Sequence, residues 1–487
     1  MAHIDVLDFR PIIFVTGLLL APLGLAMLLP ALADGIYNNP DSQVFLLSAG
    51  LTTFAGVSIA ISNKDIGDTL QLKEAFLLTA LVWLVLPAFA ALPFVFSELS
   101  LSYSDAYFEA MSGLTTTGST VITGLDDAPP GILLWRAILQ WLGGVGIIVM
   151  AVAVLPMLRV GGMQLFRMES SDTSEKILPR AAQISGAIAI LYAALTTLCF
   201  LALVGAGLSS FDALAHAMTT IATGGFSTSD SSVGHFNSVA VDVIITAFML
   251  VGSLPFVLYL QLLRGRPLLL WRDSQVRAFF GAVLLLVTIM TSWLVYSDNY
   301  DPGNALRYAS FNIVSILTGT GYTTANYSGW GSFAIAMFFL VMFIGGCAGS
   351  TSCGIKIFRF QVLYQVIVTQ VRKLGRPHGV FQPQYNKKPL SDSVINSVIG
   401  FLFLFLLSFV ALAIALTFTG LDFVTALSGA GTALANVGPG LGDVIGPSGT
   451  FAPLPDTAKW LLSFGMLLGR LELFTVLVLF TPAFWRA

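Results

Sequence analysis

The apolar and polar positions of this chain alternate on a long scale. Uncharged or nearly uncharged apolar runs long enough to cross a bilayer, roughly 20 residues each, lie at 11–32, 44–62, 75–96, 132–158, 182–207, 239–263, 278–296, 332–355, 395–419 and 459–483. They predict ten spans. Strands of period two are absent from the pattern, which therefore predicts an all-α helical bundle and not a barrel. The first run follows Asp5, Asp8 and Arg10 and so lacks a basic leader. It also exceeds the apolar stretch of a signal peptide, about 7–15 residues. It reads as a retained helix, although "ALADG" at 31–35 resembles a cleavage site.

Four polar connections stand out, at 99–131, 208–238, 297–330 and 420–458. Each opens with a short, mildly apolar segment: "YSDAYFEAMSGL", "SFDALAHAMTTI", "NALRYASFNIVSIL" and "LDFVTALSGAGTAL". Each segment is too short to span and predicts a re-entrant helix. Each then reaches a glycine: Gly118 in "TTTGST", Gly224 in "IATGGFST", Gly321 in "TGTGYTTA" and Gly438 in "ANVGPG". The glycines recur roughly every hundred residues, the length of two spans plus a re-entrant segment, and such periodicity governs architecture.

Non-helical backbone at membrane depth is tolerated only inside protein or against a watery cavity. Four such stretches would surround one axis. Glycine allows backbone angles that align consecutive carbonyls. A short helix ending at each stretch directs its negative end toward a cation. Carbonyl rings of this kind replace the water shell of a monovalent cation.

Composition and charge sharpen the picture. The chain is 56% hydrophobic and only 10% charged, against about 25% charged in soluble domains. Three long connections hold Arg159, Arg167, Lys176 and Arg180, then Arg264, Arg266, Arg272 and Arg277, then Lys356, Arg359, Arg372, Lys373, Arg376, Lys387 and Lys388. Arg10, Lys64, Lys73 and Arg486 fall on the same side. The positive-inside rule makes that side, and both termini, cytoplasmic. The four glycine-bearing connections are then outside, where only Arg136, Arg307 and Lys459 are basic. Arg470 remains, within the last span. Cys199, Cys347 and Cys353 suggest no disulfide framework, and the four histidines are scattered. A membrane-embedded enzyme would need an acid/base or metal constellation at depth, and the sequence offers none. "LGGVGIIV" at 142–149 lacks the strand and helix start of a dinucleotide fingerprint and reads as close helix packing. "GGCAGSTSCG" at 345–354 interrupts a span and predicts an irregular loop, as at transport sites.

With the four glycine stretches, "WRAILQWLGGVGIIVMAVAVLPML" at 135–158, "GGCAGSTSCGIK" at 345–356 and "GRLELFTVLVLF" at 469–480, the whole chain resembles the Trk/Ktr/HKT superfamily of K⁺ transporters, in its TrkH branch. The resemblance implies a pseudo-fourfold repeat of helix–pore-loop–helix units around one pore. It divides the chain into two extra N-terminal helices at 1–70, repeats at 71–165, 166–270 and 271–365 (the third with a broken inner helix), and a cytoplasmic loop with the fourth repeat at 366–487. It implies a K⁺ selectivity filter formed by Thr116, Thr117, Gly118, Ala222, Thr223, Gly224, Thr320, Gly321, Tyr322, Asn436, Val437 and Gly438, K⁺ being the bound and transported metal. It implies a gate of Arg470 with Gly345, Gly346, Gly349, Ser350, Thr351 and Gly354. It further implies a homodimer in the bacterial inner membrane, no cofactor in this chain, and a cytoplasmic nucleotide-binding TrkA ring, for which 356–394 is a candidate docking surface. Ser119 and Cys353 depart from the family, which more commonly has Ala and Gly there.

Arg470 at the centre of a helix would cost roughly 2.5–3.5 kcal/mol to insert. Glu472, two residues on, does not face it. The expected location is therefore a hydrated cavity beneath the filter, where the guanidinium repels a passing cation. The spans offer few ionisable groups beyond Arg470 and Glu472. This favours channel-like flux over the alternative, an ion-coupled K⁺/H⁺ or K⁺/Na⁺ symporter on the same scaffold.

Overall fold

The computed structural model describes residues 8–64, 71–153, 177–298, 300–386 and 388–486, with backbone alone at 151–153 and 177–182. The boundary expected between the first two repeats, 165/166, and the side chains of Arg159, Arg167, Lys176, Arg180 and Lys387 lie outside the described residues.

A bilayer offers the backbone no hydrogen bonds, so apolar runs close theirs internally as helices. Among the described residues, seven helices are long and apolar enough to cross: 10–36, 41–62, 72–96, 130–150, 183–205, 274–296 and 392–418. Their outer faces carry exposed large side chains such as Leu47, Phe54, Leu284 and Phe418, as expected of lipid-facing surface. Two further apolar runs are broken. Val239–Gly252 and Phe256–Leu263 meet at 94°, and Asp456–Arg470 and Phe474–Phe480 at 109°. Counting each bent pair once gives up to nine candidate spans among the described residues, beside the ten runs read from the sequence. The missing run is 332–355, whose helix, Ser332–Val341, gives way to irregular chain at "GGCAGSTSCG".

The first two long helices touch through glycines. A Cβ on Gly17 would lie 2.7 Å from Gly56 O, and one on Gly56 would lie 2.6 Å from Ala21 N. Such small-residue contacts let helix backbones approach in lipid. This pair packs with Pro130–Ala153 into one apolar core, while the later helices form a second, larger one.

Four short helices enter between the long ones: Tyr103–Leu114, Ser210–Ile221, Pro302–Leu317 and Phe423–Ala435. Each is started by a side-chain oxygen that accepts from the first-turn N–H groups, in Ser102, Ser209, Asp301 and Asp422 respectively. Hydrogen bonds from the Thr425 side chain and from the backbone of the Thr425 and Val424 N–H groups hold the Asp422 carboxyl below the usual carboxylate range. The three basic residues assigned to the outer side each meet an acid: Arg136–Glu109 at 2.8 Å, Arg307–Asp242 at 2.7 Å and Lys459–Asp105 at 2.5 Å.

Candidate functional site: a closed ring of four loops over a charged layer

The four short helices end alike. One residue past the C-cap of the first three, and at the C-cap of the fourth, the backbone turns left-handed, at Thr116 (φ 53°), Thr223 (48°), Gly319 (77°) and Asn436 (51°). The next N–H reaches back to close the helix in three loops: Thr117 N to Ser112 O, Gly224 N to Thr219 O, and Val437 N to Thr432 O, at 2.9, 2.8 and 3.0 Å. This is the hydrogen-bond pattern of a Schellman cap. Two residues after the left-handed residue stand Gly118, Gly225, Gly321 and Gly438, the first three with φ of 86°, 83° and 85°.

That pattern corrects the register of the second loop. Gly225, not Gly224, stands where Gly118 and Gly321 stand. Thr223 matches Thr116, Gly224 matches Thr117 and Thr320, and Ala222 is still the helix C-cap. Tyr322 stands one residue past its glycine, beside Ser119, Phe226 and Pro439 in the same register.

The loops meet in a closed circuit. A Cβ on Gly118 would lie 2.2 Å from Gly224 O, and one on Gly225 would lie 1.9 Å from Thr320 O. One on Gly321 would lie 2.7 Å from Gly438 N, and one on Gly438 would lie 3.0 Å from Gly118 O. Each loop therefore touches the next, and the fourth returns to the first. At the first three contacts there is no room for a Cβ, and at the fourth it would be crowded. Two side-chain bonds reinforce the seam between the first and fourth loops: Ser119 Oγ donates to Gly438 O at 2.8 Å, and Asn436 Nδ2 donates to Thr117 Oγ1 at 3.0 Å. Tyr322 turns its hydroxyl onto the Thr219 hydroxyl of the second short helix. Thr116, Thr117, Thr223, Thr320, Val437 and Asn436 are all buried.

Beneath Thr116 lies a second layer. The chain at 345–354 is stitched down rather than hanging free. Cys347 N donates to Ser253 O at 3.0 Å, Thr351 Oγ1 to Gly252 O at 2.9 Å and Phe256 N to Gly349 O at 3.0 Å, all at the 252–256 break. Ala348 N donates to Gln275 Oε1 at 2.9 Å, and Gly345 N to Ile355 O at 2.9 Å. The polar groups freed by one broken helix satisfy those freed by the other, as buried backbone requires. Gly346 N donates to Ser352 Oγ and Ser350 Oγ donates to Cys347 O, which keeps the loop folded on itself.

Arg470 is not in the middle of a helix. It is the last residue of Asp456–Arg470, before a turn in which Glu472 and Leu473 are left-handed (φ 61° and 51°). A helix carboxyl end carries partial negative charge and suits a cation. Nor does the guanidinium sit in open water: Arg470 is 2% exposed. Its Nη1 donates to Cys353 Sγ at 2.7 Å and its Nη2 to Gly143 O at 2.8 Å. Glu472 pairs instead with Arg359. The space here is a cavity of about 30 Å³ whose lining includes Gly349, Cys353, Lys356, Arg359, Arg470 and Glu472. It has room for little more than a water. The hydrated cavity expected from the sequence is in this structure a filled, positively charged constriction.

Cys353, a departure from the resemblance, joins the two layers, with Thr116 Oγ1 3.7 Å above and Arg470 beside its sulfur. Sequence reasoning also missed Arg136 and Gln140, one helical turn apart on Pro130–Ala153. Arg136 Nη1 donates to Ser227 O at 2.7 Å, and Gln140 Nε2 donates to Gly224 O at 2.6 Å. A charged and a polar residue in an otherwise apolar run was the available signal. All three cysteines are free and buried. Among the described residues no cluster of His, Cys, Asp and Glu could hold a metal.

Residues 41–487 match the family model TrkH, described as a cation transport protein. The chain is 47% identical over 479 residues to the Trk system potassium uptake protein TrkI of Halomonas elongata, covering 98% of this chain and 97% of that one. It is 39% identical to the Trk system potassium uptake protein TrkH of Escherichia coli K12, covering 99% of this chain and all of that one. The crystal structure of the potassium transporter TrkH from Vibrio parahaemolyticus superposes with a TM-score of 0.91 at 37% identity over 99% of this chain. Multiple apolar helices and these relatives make it a multi-pass membrane protein, and the chain belongs to the TrkH family of cation transport proteins.

Proposed function

We propose that this chain mediates K⁺ uptake across the cytoplasmic membrane, with the ring of four loops as its selectivity filter. The supporting observation is the closed circuit itself: four glycine-centred turns in one register, each in contact with the next. Backbone carbonyls supplied by such turns can replace the water shell of K⁺. The four short helices end at the ring and add the negative ends of their dipoles. In this reading the filter residues are Thr116, Thr117 and Gly118; Thr223, Gly224 and Gly225; Gly319, Thr320 and Gly321; and Asn436, Val437 and Gly438.

The layer beneath is the gate. Arg470, Cys353 and the 345–354 loop close the path below the ring. A cation about 8 Å from the Arg470 charge, at an effective dielectric near 20, meets about 2 kcal/mol of repulsion. That corresponds to roughly thirtyfold slower passage. Opening requires the guanidinium to leave Cys353 and Gly143. The rest of the assembly follows the family resemblance: a homodimer with both termini in the cytoplasm and a TrkA-type nucleotide-binding ring acting from that side.

The test is Rb⁺ flux into proteoliposomes carrying the purified chain, with and without a pH gradient. Flux that follows the Rb⁺ gradient alone supports the reading. Flux that requires a proton or Na⁺ gradient replaces the channel with a symporter. No flux in a folded, correctly inserted sample refutes both.

A further inference from the structure

Behind the first two loops runs a buried network that the filter reading does not use. Glu109, fully buried in the short helix Tyr103–Leu114, accepts from Arg136 Nε at 2.8 Å, from Val121 N at 2.9 Å and from Thr120 Oγ1 at 3.0 Å. Arg136, 1% exposed, also donates Nη1 to Ser227 O at 2.7 Å and Nη2 to Thr120 Oγ1 at 3.2 Å. Its guanidinium carbon lies 4.1 Å from the centre of the Phe226 ring. One turn further along the same helix face, Gln140 brackets Gly225: Nε2 donates to Gly224 O at 2.6 Å, and Oε1 accepts from Phe226 N at 3.0 Å.

A buried arginine and glutamate are costly in lipid unless every donor and acceptor is used. Here the partners are the backbone of loop two and the threonine that follows loop one. The third and fourth loops use other means, through Tyr322, Ser315 and Asn436. Gly225 has no side chain to hold it and sits at a φ open to few residues. The two peptide groups flanking it are free to rotate unless something outside the loop fixes them. Gln140 is bonded to both.

We infer that Gln140 and Arg136 are positioning residues for ion selectivity: Gln140 fixes the peptides on either side of Gly225, and the Arg136–Glu109 pair holds loops one and two against each other. The inference rests on the filter reading above. A selectivity ring discriminates by the positions and stiffness of its carbonyls, so loosening one quadrant should lower preference for K⁺ without blocking passage.

The experiment is the K⁺/Na⁺ permeability ratio, from reversal potentials of the purified full-length chain in planar bilayers. Gln140→Met keeps length and volume but removes both amide bonds. The expected result is a ratio reduced about fivefold to a hundredfold, the net worth of the two hydrogen bonds removed, with K⁺ current retained. Arg136→Lys keeps the charge beside Glu109 but loses the fork that reaches Ser227 and Thr120; a smaller loss of ratio is expected. Gly118→Ser serves as the reference. If it lowers the ratio and a folded Gln140→Met leaves the ratio unchanged, the positioning role is overturned while the filter stands. If neither moves the ratio, the filter reading falls and this inference with it. Should Gln140→Met fail to fold, Thr120→Val removes a single member of the network, and an unchanged ratio there also overturns the inference.

Discussion

The ring and the layer below it are made of opposite materials. In the five-residue stretches at each turn, 115–119, 222–226, 318–322 and 435–439, there is no charged side chain; contact is made backbone to backbone. A few residues below, Lys356, Arg359, Arg470 and Glu472 crowd one cavity, and the contacts are made by side chains. Under the proposed function the difference divides two tasks. Backbone geometry cannot be retuned by small side-chain motions, so it suits a choice between ions of equal charge. A guanidinium on a few rotatable bonds can be moved aside, so it suits control of rate. Substitutions in the ring should change which ion passes, and those beneath should change how many.

The largest expected effect tests the register of the ring. Gly225→Ala places a Cβ 1.9 Å from Thr320 O at a φ of 83°, so the second loop cannot close. Uptake should fall to background in a K⁺-dependent growth or flux assay. Gly224→Ala meets the end of the Gln140 side chain at 2.3 Å, not backbone, and has no such φ, so it should retain measurable flux, with the K⁺/Na⁺ ratio lowered by the displaced amide. Equal loss in both variants would restore the register expected from the sequence.

Next comes the charge beneath. Arg470→Ala should raise K⁺ flux about thirtyfold, the repulsion derived above, and leave the K⁺/Na⁺ ratio unaltered. A changed ratio would erase the division between the layers. Cys353→Gly removes the sulfur that holds Arg470 Nη1. A hydrogen bond to a charged group is worth about 1.5–3 kcal/mol, so basal flux should rise about tenfold or more, and measurement against Arg470→Ala should show the two changes non-additive.

The smallest effect lies at the helix starts. The Asp422 carboxyl titrates lower in the folded chain than in the unfolded one. Its contribution is therefore present above the unfolded carboxylate value of about 3.9 and is lost as pH falls through the lower folded value. Thermal unfolding in detergent should show Asp422→Ala less stable by about 1 kcal/mol near neutral pH, with the gap to the parent chain narrowing below about pH 4.

Much of the fold could be read from the sequence because lipid imposes length and hydropathy directly. The four short segments and their glycines were visible as a repeat; the side-chain caps that start them, at Ser102, Ser209, Asp301 and Asp422, came from the structure. What was not visible depended on backbone angles and distant partners. "TGG" at 223–225 offers two glycines, and only the left-handed turn at Thr223 selects the second. The break at 252–256 carried a signal in Pro255, which disfavours helix before it, but the hydropathy of 239–263 concealed it. The break after Arg470 had no Gly or Pro; it is held by left-handed Glu472 and Leu473 and by the Arg359 partner 113 residues earlier. For the same reason the sequence alone shows no partner for Arg470 but water. Its sulfur partner, Cys353, is 117 residues away in the chain.

The most direct measurement of the central claim is the bi-ionic reversal potential of Gly118→Ser beside the parent chain in the same bilayers. Gly118 touches both neighbouring loops, at Gly224 and Gly438, so a side chain there disturbs the circuit at two seams. The parent chain is expected to prefer K⁺ strongly, and the variant to conduct both K⁺ and Na⁺. A variant that folds, conducts and keeps the parent ratio would contradict the assignment of the ring as the selectivity filter.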